Sequence, residues 1–151
     1  MAHIFETENF LLETREKPFV DRAEGGHIRI WSKIKVSDRT QLTSEQAIEY
    51  MKLSMVAGEA LTNVMKSQGI DIGIVNYQEM GNWSVFKPEG VTMHLHIFGR
   101  AKTATIQKYG EAVLLPQRET GFYDNFQGLN ENDIVEMRKE IEKLLAMDKY
   151  Q

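Results

Sequence analysis

Thr43 and Gln46 form a capping box of the S/T-x-x-E/Q kind, and Gly69 supplies a natural helix stop. Between them Leu53, Val56, Ala57, Ala60, Leu61 and Val64 recur at helical spacing. One long amphipathic helix is therefore fixed in the middle of the chain, and its apolar stripe needs a surface to lie on. The flanking segments alternate with the two-residue period of strands, so that surface is a sheet. Met51 and Met55 widen the stripe beyond what one sheet face covers, which predicts a second packing partner.

Ahead of the helix, residues 10–15 read as a short strand, Glu16-Lys17-Pro18 as a turn and Phe19-Val20-Asp21 as a second strand. Ala23-Glu24-Gly25-Gly26 is a tight turn in which both glycines can take positive φ. His27 to Trp31 alternates, with His27, Arg29 and Trp31 on one face and Ile28 and Ile30 on the other. After the helix, residues 71–78 alternate again: Ile72, Ile74 and Asn76 point one way, Gly73, Val75 and Tyr77 the other. A long connection, Gly81 to Gly90, leads into a strand over residues 92–98. Asn130 caps a second helix with Ile134, Met137, Ile141 and Leu144 on one stripe. The chain of 151 residues reads as a single α+β domain over 1–151. Its architecture is an antiparallel sheet meander with one long helix, a core over about 10–102 and a C-terminal extension with a helix over about 103–151.

Charge and composition narrow the function. With 18 basic and 22 acidic residues the net charge is −4, which argues against a non-specific nucleic-acid binder but leaves room for a locally positive pocket. There is no cysteine, so thiolate metal sites and a cysteine nucleophile are excluded. No run approaches the roughly 18 apolar residues of a membrane span. The N-terminus, carrying Glu6 and Glu8, reads as a tail without a signal peptide, and a cytoplasmic setting is expected. His3 lies in that tail and is set aside.

The chemistry concentrates in residues 92–100. Met93, Leu95 and Ile97 form an apolar face that seeks the core, while Thr92, His94 and His96 share the other. Two imidazoles side by side lose solvation without structural gain. A metal site on such a strand needs a third histidine and usually a carboxylate, whereas Gly99, Arg100, Ala101 and Lys102 follow here, and cations disfavour a metal. Phosphate chemistry fits better: neutral imidazole attacks phosphorus and a neighbouring ring steadies the phosphoryl oxygens. The pattern does not choose the nucleophile between His94 and His96.

Residues 92–98, Thr-Met-His-Leu-His-Ile-Phe, resemble the His-φ-His-φ-His-φ-φ hallmark (φ apolar) of the histidine triad family of nucleotide hydrolases and transferases, with Thr92 in place of the first histidine. Gly25-Gly26-His27-Ile28-Arg29-Ile30 is similar to the family's upstream histidine strand, and Asn76 stands where the family places an active-site asparagine. The resemblance covers about residues 10–102. It implies that His94 is the nucleophile toward the α-phosphorus, that His96 and His27 contact the phosphate, and that Asn76 orients the site. The stretch from Asn76 to His94 is longer than in compact members, and Asn82 and Ser84 stand in for the pair that binds the leaving phosphate, with Trp83 near the base or leaving group. The implied ligand is a purine nucleotide or dinucleotide, in the class of diadenosine polyphosphates or nucleoside phosphoramidates. The implied assembly is a homodimer. No metal cofactor is required for attack by histidine, though magnesium can accompany a polyphosphate. The rival implied by Thr92 is a nucleotide-binding module with little or no turnover.

Overall fold

In the computed structural model, which describes residues 2–151, the capping box closes as the sequence requires. The Gln46 amide donates to Thr43 Oγ1 (3.2 Å) and the Thr43 amide donates to Gln46 Oε1 (2.9 Å). The long helix, α1, spans Ser44–Ser67 and buries Leu53, Val56, Ala57, Ala60, Leu61 and Val64. Gly69 ends it with φ of +84°. Met51 and Met55 remain about half exposed.

The sheet that α1 covers has five antiparallel strands: β1 (His3–Glu6), β2 (Phe10–Thr14), β3 (His27–Ser32), β4 (Ile72–Glu79) and β5 (His94–Ala101). Their spatial order is β1-β2-β3-β5-β4. The chain meanders through β1, β2 and β3. It then crosses through α1 to the far edge, where β4 forms, and β5 returns to fill the slot between β3 and β4. This places the two histidine-bearing strands side by side. Ile28, Ile30, Leu95 and Ile97 point toward α1 and are buried in one apolar cluster with it.

A second helix, α2 (Glu131–Leu145), is capped reciprocally by Asn130 and Asp133. Its stripe of Ile134, Met137, Ile141 and Leu144 joins the same cluster as α1 and the sheet. The extension thus shares the core of the preceding residues.

Three local expectations are corrected. Phe19-Val20-Asp21 is not a strand: Phe19 and Val20 turn inward and pack with Phe98, Tyr123 and Phe126 in a second cluster on the opposite side of the sheet. The N-terminal segment is not a loose tail, because residues 3–6 pair with β2 and bury Ile4. A register shift between Ile72 and Ile74 breaks the alternation of β4, so Ile72 is 3% exposed and Ile74 52%.

The turn before β3 tolerates only glycine at Gly25. Its φ is +133°, and a Cβ there would lie 2.0 Å from the Gly99 carbonyl oxygen. Gly25→Ala is expected to destabilise the fold by more than about 2 kcal/mol, read as a lowered urea midpoint. A midpoint unchanged from the wild type would show that the turn can move away from β5.

Candidate active site

Strand register builds the site. Across β3 and β5, Trp31 stands opposite His94, Arg29 opposite His96 and His27 opposite Phe98. Alternation turns His27, Arg29, Trp31, His94 and His96 to the face away from α1. The three histidines expected from the sequence therefore come together, with ring centroids 5.0 Å apart for His27 and His96 and 4.9 Å for His94 and His96.

Their hydrogen bonds fix which nitrogens carry protons. The Phe19 amide donates to His27 Nδ1 (3.0 Å), so that nitrogen is a bare acceptor. In the neutral ring His27 Nε2 must then hold the proton, and it donates to His96 Nδ1 at 2.8 Å. By the same logic the proton of His96 sits on Nε2, on the other edge of the ring. His94 is wired the opposite way. Its Nδ1 lies 2.8 Å from the Thr92 carbonyl oxygen, which can only accept, so Nδ1 carries the proton and Nε2 keeps its lone pair. One histidine offers a lone pair and its neighbour a donor.

All three rings are held neutral. Burial above all, with His96 next, pushes His27 well below the usual histidine range. Burial, followed by His94, pushes His96 down to about 3. Burial also lowers His94, with the Thr92 carbonyl opposing the shift.

His94 and His96 open on a cleft of about 590 Å³. Asn82, Trp83, Ser84 and Thr92 line it. Trp83 stands edge-on to Phe19, with centroids 5.7 Å apart. Lys87, Glu89 and Gly90 of the same loop line the cleft too, whereas Phe86 is 99% exposed and lies outside the cleft lining. His27 is wholly buried behind His96 and reaches the cleft only through it. Asn76 does not line the cleft. It faces Phe98, and its Oδ1 accepts from Arg100 Nη1 at 2.7 Å, so the structure gives it a partner other than the histidines.

Several cleft residues were not singled out in the sequence. Arg29 and Trp31 share the His27 face, and alternation alone would have nominated them. Trp31 stacks on His94 at 5.0 Å and 24°. Arg15, Phe19 and Arg118 come from loops and the extension, and no local pattern marks them.

The extension also braces the site from behind. Gln107, fully buried, donates through Nε2 to the Phe19 carbonyl (2.9 Å), the same residue whose amide orients His27. Glu24 accepts from the amides of Thr105 (2.6 Å), Ile106 (2.9 Å) and Gln107 (2.8 Å). Burial opposes ionisation of that carboxyl, but the amides outweigh it and hold the Glu24 pKa low. Arg100, also buried, donates to the carbonyls of Lys108 (2.7 Å) and Glu111 (2.8 Å). Among the described residues no group of three histidine, aspartate or glutamate side chains is placed to hold a metal ion. Among them, too, no helix is long and apolar enough to cross a membrane.

Neither protein-family models nor curated proteins match the sequence. Solved structures do match the fold. A Hit-like protein involved in cell-cycle regulation from Bartonella henselae aligns with a TM-score of 0.58 at 12% identity, over 92% of this chain and 85% of that one. A histidine triad nucleotide-binding protein from Sulfolobus tokodaii aligns at 0.59 and 14% identity, over 95% and 85%. A uridylyltransferase aligns at 0.55 and 14%, over 93% of this chain and 41% of that chain. The chain has the histidine triad fold.

Proposed function

We propose that the chain is a histidine triad enzyme that binds a purine nucleotide and transfers the nucleotidyl group to His94 before water releases it. The observation that carries this reading is the opposed wiring of the two histidines: a lone pair on His94 Nε2 beside a proton on His96 Nε2. In the first step the His94 lone pair forms a bond to the α-phosphorus, and the bond from phosphorus to the leaving group breaks with its electron pair. The Thr92 carbonyl steadies the cationic ring through Nδ1–H, and the His96 Nε2–H donates to a phosphoryl oxygen. In the second step water bonds to phosphorus and releases a proton to solvent, the nitrogen–phosphorus bond breaks with its electron pair returning to His94 Nε2, and a nucleoside monophosphate leaves. Diadenosine polyphosphates or nucleoside phosphoramidates are the substrate classes this chemistry serves.

Thr92 does not disarm the reaction on this reading. Its backbone carbonyl, which any residue provides, is what orients His94. Brief mixing with a nucleotidyl substrate followed by mass spectrometry is expected to find an acid-labile adduct on His94. Nucleotide binding without any adduct would make the site a binding module instead.

A homodimer belongs to the same proposal. Met51 and Met55 on α1, together with Ile74 and Tyr77 on the edge strand β4, leave large apolar side chains about half exposed. Light scattering at micromolar concentration should give twice 17.4 kDa, and a monomer would refute it.

A further inference from the structure

Three arginines from separate parts of the chain meet in the cleft, and the attack just described uses none of them. Arg15 follows β2, Arg29 lies within β3 and Arg118 comes from the extension. Arg118 lays its guanidinium 4.6 Å from the Phe19 ring centroid and donates to the Lys17 carbonyl at 2.8 Å. Arg29 sits 4.5 Å from the Trp31 ring centroid and bonds Glu13 through Nε at 3.0 Å. Aromatic faces, the Lys17 carbonyl and the Glu13 carboxylate, which offsets the charge of Arg29, thus hold the planar groups in place. Gathering like charges in a half-buried cleft is costly, and the crowding shows: burial, then Arg29 and Arg118, push Arg15 down to about 10. The protein as a whole is acidic, so this cluster is a local feature.

The cluster is also near the reacting centre. Arg29 is the register partner of His96, and the Trp31 ring beneath its guanidinium is the one that stacks on His94. We propose that Arg15, Arg29 and Arg118 form a second anion subsite, which takes a phosphoryl group of the ligand other than the one His94 attacks. The inference rests on the nucleotide reading above and narrows it to ligands bearing at least two phosphates. A nucleoside monophosphate fills the histidine end and brings no second phosphoryl group to the arginines. Guanidinium–phosphate pairs are strong, often bidentate and salt-sensitive.

The second phosphate can follow the first in a chain or stand elsewhere on the nucleoside, so the test carries both. Tryptophan fluorescence titrations would compare adenosine 5′-monophosphate, adenosine 5′-diphosphate and adenosine 3′,5′-bisphosphate. Orthophosphate and pyrophosphate, titrated directly by calorimetry, serve as probes without a nucleoside. At least one two-phosphate ligand should bind about tenfold or more tighter than its one-phosphate counterpart, and the ratio should shrink at high salt. In Arg15→Gln and Arg118→Gln the ratio should collapse toward one. A wild-type ratio near one in both nucleoside and inorganic pairs overturns the subsite, and so does a ratio that survives both variants. If pyrophosphate binds at least about tenfold tighter than orthophosphate but no nucleotide binds, the subsite stands and the nucleotide reading falls. The wild-type ratios decide the matter even if a variant does not fold.

Discussion

Turnover of a nucleotidyl substrate is expected to fall by about 10⁴-fold or more in His94→Ala, with the fold and much of the nucleotide affinity retained. Attack needs one atom, the unprotonated Nε2, and no neighbour replaces it, because His96 has its proton on the nitrogen that would have to attack. Binding is shared with the rest of the cleft and survives. His96→Ala should slow the reaction by about 10²- to 10³-fold while the adduct still forms, since it removes a donor to the phosphoryl oxygens and leaves the attacking atom in place. Steady-state assays with adduct mapping separate the two. Wild-type turnover in His94→Ala would overturn the mechanism. The acid limb of the rate should also lie below the usual histidine value of about 6.5. A protonated ring cannot attack, and the His94 pKa is lowered in the folded site, so the lone pair is lost only at lower pH.

Acid should unfold this protein through its own active site. His27 and His96 are neutral in the fold because burial drives their pKa values down, to about 3 for His96. The unfolded chain takes up those protons near pH 6.5, so the unfolded state binds more protons as pH falls below that value. The stabilisation is fully present above about pH 6.5. It then falls by about 1.4 kcal/mol per pH unit for each histidine, or about 2.7 for the pair, until the folded pKa values are reached. Urea denaturation between pH 7.5 and 4.5 checks the slope. His96→Gln should roughly halve it, and a slope unchanged in that variant would show that other groups carry the acid sensitivity.

Much of the site was legible because strand alternation is a strict geometric rule. Once residues 92–98 read as a strand, His94 and His96 had to share a face, and the capped helix supplied the surface for the other. The opposed wiring of His94 and His96 was not legible, since it depends on a backbone carbonyl and on the Phe19 amide, neither of which leaves a mark in residue types. Asn76 shows the limit of resemblance: it lies on the correct face, but opposite Phe98, with Arg100 as the partner of its amide oxygen. The edge strand β1 was missed because it is only four residues long and is held from outside itself, by pairing with β2, the burial of Ile4 and Arg138 of α2, which donates to the Ile4 carbonyl at 3.1 Å. Arg118 reaches the cleft from far along the chain, on the packing of Phe19 and Tyr123 that only the tertiary fold creates.

The buried polar contacts of the extension bear on how this chain can be dissected. A version trimmed at residue 102 would keep every histidine. It would also strand a carboxylate at Glu24 and a guanidinium at Arg100 without the backbone groups that now satisfy them, and it would free the Phe19 carbonyl from Gln107. Orphaned buried charges cost far more than lost apolar area. The minimal folded fragment is therefore longer than the span that carries the histidines, and a protease nick between residues 103 and 111 would reach the histidine end of the cleft by way of Phe19, without touching a histidine.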